Sequence, residues 1–125
     1  MKLCDIIAAY AAAEGLMQET LAYSTAAALV QLRAELKPLA EYYLSEERKL
    51  MIEYAEQDET GHVVYSGPNS FAFADPKKAP EYAARRRELA ETDTDVRFDQ
   101  RRCPPPARIS PGAIEALEPF LIFEG

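Results

Sequence analysis

Residues 29–50, which read LVQLRAELKPLAEYYLSEERKL, decide the fold. Apolar residues recur here at intervals of three and four, the spacing that aligns side chains along one face of an α-helix. The sequence therefore predicts one long helix, from about residue 21 to about residue 57. We call its apolar face the leucine stripe; its members are Leu29, Leu32, Leu36, Leu39, Tyr43 and Leu50.

Pro38 lies inside this predicted helix. A proline in a helix interior removes one backbone hydrogen bond and costs about 3 kcal/mol. The leucine spacing nevertheless continues in phase on both sides of Pro38. We therefore expect one long kinked helix and not two independent helices.

The leucine stripe must be covered, because an isolated helix gains little from an apolar face that stays in water. Two shorter helices are predicted, one over residues 3–16 and one that starts at Asp75-Pro76, or a turn later at Ala79-Pro80, and runs to about residue 91. The second is short enough to pack antiparallel on the long helix but too short to cover all of it. Two interpretations stay open: the stripe is core, or part of it is a surface for a homo-oligomer.

Short β-prone segments accompany the helices. Residues 63–65 and 71–73 flank a Ser-Gly-Pro-Asn turn, a pattern typical of a β-hairpin. Residues 94–98 alternate apolar and charged side chains, which predicts a short strand. Residues 120–123 form an apolar tail that we expect to dock as a strand or to pack irregularly.

A last short helix is predicted to begin at Ser110-Pro111, since serine is a common N-cap and proline a common first helical residue. Taken together, the segments predict an α-dominated α+β fold. Its parts are a long kinked helix, an antiparallel shorter helix and a small β-hairpin or sheet. We expect residues 1–125 to form a single domain.

The charge is acidic overall but unevenly distributed. The formal net charge is −7, which disfavours broad binding to nucleic acid, because such binding needs many free lysines and arginines. Residues 77–108 nevertheless carry nine basic and six acidic side chains. Their densest basic cluster is Arg85, Arg86 and Arg87. These arginines are expected to pair with acids of the long helix, or to form a surface for a protein partner or, less favoured, for nucleic acid.

The sequence offers little support for catalysis. The single histidine, His62, follows Gly61 in a polar turn and is expected to be solvated. Asp58, Glu59 and Asp75 lack the alternating pattern of a calcium-binding loop. No phosphate-binding glycine motif or serine-hydrolase motif is present. We expect no enzyme activity, no cofactor, no bound metal and no small-molecule substrate.

The cysteines and the apolar runs predict a cytoplasmic protein. Cys4 and Cys103 lie far apart in the sequence and are expected to be free thiols in a reducing compartment. No apolar run approaches the roughly 20 residues that span a bilayer. The short apolar segment at residues 3–13 is interrupted by Asp5, so we expect it to be mature protein.

Six short segments spread over most of the chain carry a family resemblance. They are residues 1–3, 36–38, 46–50, 53–61, 109–111 and 117–120. Together they resemble a family of small phage and prophage proteins known only as a domain of unknown function. The resemblance implies a phage origin, a location in the host cytoplasm or with the virion, and a role in particle assembly. It provides no catalytic residues to carry over.

The main functional hypothesis is a non-enzymatic phage protein that acts through contacts with a phage or host protein, in particle structure or assembly. The alternative is a phage-encoded regulator that binds host machinery or nucleic acid. The candidate interaction residues are the leucine stripe and the cluster Arg85, Arg86 and Arg87.

Overall fold

The computed structural model describes residues 1–124. The predicted α-dominated α+β fold class is confirmed. The helices are α1 (Leu3–Leu16), α2 (Tyr23–Tyr54), α3 (Ala79–Ala90) and α4 (Pro111–Leu117). The strands are β1 (Tyr65–Gly67), β2 (Ser70–Phe71), β3 (Arg101–Cys103) and β4 (Leu121–Phe123).

The chain forms two compact units, and α2 contributes to both. Unit 1 comprises Met1–Glu41 and the described residues from Asp93 onward, whereas unit 2 comprises Tyr42–Thr92. The expectation of a single domain stays a prediction.

The long helix α2 is continuous through Pro38. Its 32 residues correspond to about 48 Å at about 1.5 Å per residue. The sequence therefore predicted the element correctly, and its ends differ from the predicted ends by two or three residues. Helix ends are the least reliable part of a periodicity argument, because fraying residues keep the same apolar spacing.

The core of unit 1 forms where α1, the first part of α2 and the C-terminal segment meet. Ile6, Ala9 and Ala13 of α1 belong to the same buried cluster as Leu32 of α2 and Phe120. Alanine on a helix face lets a neighbouring helix approach closely, so a thin core can still be dense. Burying each leucine side chain contributes about 2 kcal/mol.

The C-terminal segment folds as a small β–α–β element. Strands β3 and β4 pair in parallel, with Arg101 opposite Leu121 and Cys103 opposite Phe123. Helix α4 connects them, and its first turn is capped by Ser110 Oγ, which accepts a hydrogen bond from the Ala113 N–H at 3.2 Å. Of the two expectations for residues 120–123, a docked strand or irregular packing, the strand is observed over Leu121–Phe123.

The predicted strand over residues 94–98 is wrong. No strand is assigned there; the Thr94 N–H donates to the Met1 carbonyl at 2.8 Å, and the strand instead covers Arg101–Cys103. An alternating pattern indicates an extended chain, but the partner decides whether it becomes a strand. In unit 1 the strand partner, β4, lies beside residues 101–103.

Unit 2 is built around three short segments that hydrogen-bond in a closed ring. The Glu56 N–H donates to the Ala72 carbonyl at 2.8 Å, and the Ala72 N–H donates to the Val64 carbonyl at 2.8 Å. The Val64 N–H donates to the Glu56 carbonyl at 2.9 Å, which closes the ring. The predicted hairpin is part of this ring, since β1 and β2 pair antiparallel with Tyr65 opposite Phe71. Each segment is thus held by the other two, which fixes the aromatic side chains they carry.

Candidate functional site

The structure buries the leucine stripe within the chain. Its core members in unit 1 have an exposure of 0%, and these are Leu29, Leu32 and Leu36. Leu39 is half-buried against the same core. In unit 2, Tyr43 and Leu50 keep only 8% and 7% of their surface exposed. These observations favour the core interpretation of the stripe over the interface interpretation.

Two of the three clustered arginines pair with acids of α2. Arg85 Nη1 donates to Glu53 Oε1 at 2.8 Å and to the Tyr54 hydroxyl at 3.1 Å. Arg86 Nε donates to Glu47 Oε2 at 3.2 Å. Tyr82, near the start of α3, packs on Tyr54 at the end of α2, and Ala90, at the end of α3, lies with Tyr43 around one concavity. Helix α3 therefore runs antiparallel to the second part of α2, as the sequence predicted.

These pairs hold the two arginines in position. The hydrogen bonds to Tyr54 and Glu53 raise the pKa of Arg85 above its ordinary value, and its guanidinium also lies 5.5 Å from the centre of the Tyr54 ring. Arg87 is exposed, and no carboxylate in residues 1–124 lies within ion-pair distance of it. Intramolecular pairing therefore accounts for Arg85 and Arg86 but not for Arg87.

Next to these ion pairs, unit 2 contains a cluster of aromatic rings. The Tyr82 ring packs edge-on against Tyr54, Phe71 and Phe73, with centroid distances of 5.7, 5.2 and 5.6 Å. The ring centroids of Phe71 and Phe73 are 4.7 Å apart. Each such pair contributes about 0.5–1.5 kcal/mol beyond its buried area. Partial burial raises the pKa of the Tyr82 phenol, so this ring stays neutral at physiological pH.

Three rings of this cluster, Phe71, Phe73 and Tyr82, line an open groove of about 570 Å³, which we call the aromatic groove. One side of the groove comes from one face of α2, another from the β1–β2 hairpin and the third from α3. Leu44 stands at the α2 side and is 53% exposed. The lining residues are Leu44, Glu47, Arg48, Met51, Asn69, Ser70, Phe71, Phe73, Tyr82 and Arg86.

The sequence predicted Arg86 as an interaction residue but missed the remainder of the groove. Leu44 and Met51 are seven residues apart and lie outside the leucine stripe. That spacing is a weak signal of a second apolar face. The sequence around Phe71 and Phe73 predicted only a strand. Their ring contacts with Tyr82 could not be predicted, because these contacts depend on the closed ring of hydrogen-bonded segments.

A larger cavity of about 630 Å³ lies in unit 1, beside the C-terminal end of α1 and the start of α4. It is lined by Ala12, Gly15, Leu16, Glu19, Ala107, Arg108, Ile109, Ser110 and Ala113. These are mostly small side chains without an aromatic ring. Binding surfaces are enriched in aromatic residues, methionine and arginine, so the aromatic groove is the better candidate despite its smaller volume.

His62 lies in a polar turn, and its environment is local. Asp58 Oδ1 accepts hydrogen bonds from the Thr60 N–H at 2.9 Å, the Thr60 hydroxyl at 2.6 Å and the His62 N–H at 3.0 Å. The Thr60 Oγ1 also lies 2.7 Å from His62 Nδ1. The hydroxyl thus separates the carboxylate from the imidazole, so Asp58 does not orient the ring as an acid does in a catalytic triad.

Asp75, another acid considered for a metal site, is used as a local cap. Asp75 Oδ1 accepts from the Lys77 N–H at 3.1 Å and so caps the short 3₁₀ helix Pro76–Lys78. Within residues 1–124, no three His, Cys, Asp or Glu side chains are grouped closely enough to hold a metal ion. None of the helices in the described part of the chain has the length and apolar character needed to cross a bilayer.

Comparison with known proteins gave no relative: no family model, no curated protein and no solved structure matches this chain.

Proposed function

We propose that this chain is a non-enzymatic phage or prophage protein that acts through protein–protein contacts, and that the aromatic groove of unit 2 is its binding surface. The observation that carries the proposal is the composition of the groove. Aromatic, methionine and arginine side chains line one concavity beside the half-exposed Leu44. Residues of these types supply most of the binding energy at protein interfaces.

The groove is fixed in shape by hydrogen bonds and ring packing, which supports this role. The three segments of the closed ring fix the backbone next to Phe71 and Phe73, and α3 fixes Tyr82 from the opposite side. A surface that is already ordered pays less conformational entropy when a partner binds. The groove is therefore suited to a partner that inserts one side chain into it.

Following the resemblance described under Sequence analysis, we further propose that this binding serves particle structure or assembly. The test is the yield of infectious particles from a host whose phage carries either Leu44→Asp or, as the matched control, Ile114→Asp. Both residues are exposed, at 53% and 44%, and Ile114 lies in unit 1. We expect Leu44→Asp to lower particle yield at least tenfold and Ile114→Asp to leave it unchanged. Equal yields from both variants would contradict the assembly role.

A further inference from the structure

The aromatic groove has an apolar floor and a basic rim. Met51, Phe71, Phe73 and Tyr82 form the floor, and Arg48 and Arg86 are its two basic lining residues. Glu47 is the one acid among the lining residues. It forms an ion pair with Arg86, with 3.2 Å between Arg86 Nη2 and Glu47 Oε2. The positive charge of Arg48 is thus left uncompensated within the groove.

The surroundings of the groove add to this charge. Arg48 is exposed, and no carboxylate in residues 1–124 lies within 4.0 Å of its guanidinium. A neighbouring concavity that shares Tyr82 with the groove is lined by the exposed Arg87, which has no carboxylate of residues 1–124 within ion-pair distance. The basic rim stands out because the chain as a whole carries a net charge of −7. A partner that matches this groove therefore carries negative charge next to an apolar side chain.

The size and the polar groups of the groove favour a peptide. A volume of about 570 Å³ accommodates one large side chain with its flanking backbone. Asn69 and Ser70, at the hairpin end of the groove, offer an amide and a hydroxyl for main-chain hydrogen bonds. Nucleic acid fits less well, since it requires several free cationic groups, and Arg85 and Arg86 are both engaged with glutamates.

Resting on the proposed function, we infer that the groove takes an acidic peptide segment of a partner protein. One aromatic or aliphatic side chain of that segment lies on the floor formed by Phe71, Phe73 and Tyr82. A neighbouring carboxylate pairs with Arg48. The apolar side chain supplies the affinity and the ion pair supplies the selection for acidic sequences.

The inference is tested with the full chain and three blocked nonapeptides. The first has a single phenylalanine flanked by two aspartates on each side, the second has asparagines in their place, and the third has alanine in place of the phenylalanine. Binding is followed by NMR shift changes of the protein. We expect the acidic phenylalanine peptide to bind at least tenfold more tightly than either of the others, with the largest shifts at Leu44, Met51 and Phe71.

Arg48→Glu is the decisive variant. Its matched control is Arg97→Glu, because Arg97 is an exposed arginine of unit 1. Arg48→Glu should weaken the acidic peptide at least tenfold, while Arg97→Glu leaves its affinity unchanged. For each variant, an NMR spectrum that is unchanged away from the substituted residue verifies that the protein folds.

Three outcomes would overturn the inference: equal affinity for the acidic and neutral peptides, wild-type affinity in Arg48→Glu, or tighter binding of a single-stranded oligonucleotide at the same residues. None of these decides the proposed function, because the particle yield of Leu44→Asp reports on the groove whatever the chemistry of the partner.

Discussion

At the scale of single residues, the turn from Asp58 to His62 depends on one glycine and one carboxylate. Gly61 has a φ of +82°, a conformation that side chains with a Cβ rarely adopt, and no other atom would meet an added Cβ within 4 Å. The requirement is therefore conformational and not one of space. The sequence predicted a polar turn at Gly61 and His62, but it did not predict the hydrogen bonds that Asp58 accepts there.

Gly61→Ala should destabilise the protein by about 1–2 kcal/mol, because alanine would have to adopt the left-handed conformation. Gly112→Ala is the matched control: Gly112 lies in α4, is not in the left-handed region, and has open space around it. We expect Gly112→Ala to be neutral or stabilising by up to about 1 kcal/mol. Urea denaturation measures the free energy of unfolding of both variants. Equal changes in the two variants would mean that the Gly61 backbone is not constrained as described.

Asp58 predicts a pH dependence of stability. The hydrogen bond from Thr60, followed by that from the His62 backbone, lowers the pKa of this carboxyl. Because the folded-state pKa is depressed, the stabilisation is complete above the unfolded value of about 4 and is lost as the pH falls through the folded value. Asp58→Asn should therefore lower the melting temperature at pH near 7, and the difference from wild type should shrink as the solution is acidified below about pH 4.

The control for this measurement is Asp95→Asn, an exposed acid in unit 1. We expect its melting temperature to follow that of the wild type over the same pH range. A difference between wild type and Asp58→Asn that does not change with pH would show that the ionised carboxylate is not the stabilising form.

At the scale of elements, local patterns predicted α1, α2, α3, α4 and the hairpin, because each depends on periodicity, caps or turn residues within a few positions. Long-range pairing was not predictable in this way. Strand β3 exists because β4 lies beside it, and the aromatic groove exists because three short segments and α3 meet in unit 2. The leucine spacing predicted a helix but left open whether its apolar face is core or interface.

Leu36→Ala distinguishes these two roles of the stripe. Leu36 is fully buried, so its truncation should cost about 2–5 kcal/mol of unfolding free energy. Val30 lies on the same helix and is 51% exposed, so Val30→Ala should change stability by less than about 0.5 kcal/mol. Chemical denaturation gives both values. A Leu36→Ala protein as stable as wild type would contradict the assignment of the stripe to the core.

At the scale of the whole molecule, burial of the stripe has a consequence for the state of association. A stripe that is covered within the chain leaves no long apolar seam for a second copy. We therefore expect light scattering over a concentration series to give a constant mass of about 14.0 kDa. A mass that rises towards twice this value with concentration would mean that another apolar surface, such as the exposed Tyr23 and Val30 on α2, mediates self-association.

The central claim is that the aromatic groove binds a partner protein, and site-specific photo-crosslinking tests it most directly. A photoreactive phenylalanine analogue is placed at Leu44, at the edge of the groove, or at Ile114, in unit 1, in cells in which the proposed parent phage is producing particles. We predict that the Leu44 position gives one discrete cross-linked product with one protein, identified by mass spectrometry, and that the Ile114 position does not. No discrete product at Leu44, or the same product from both positions, would contradict the claim.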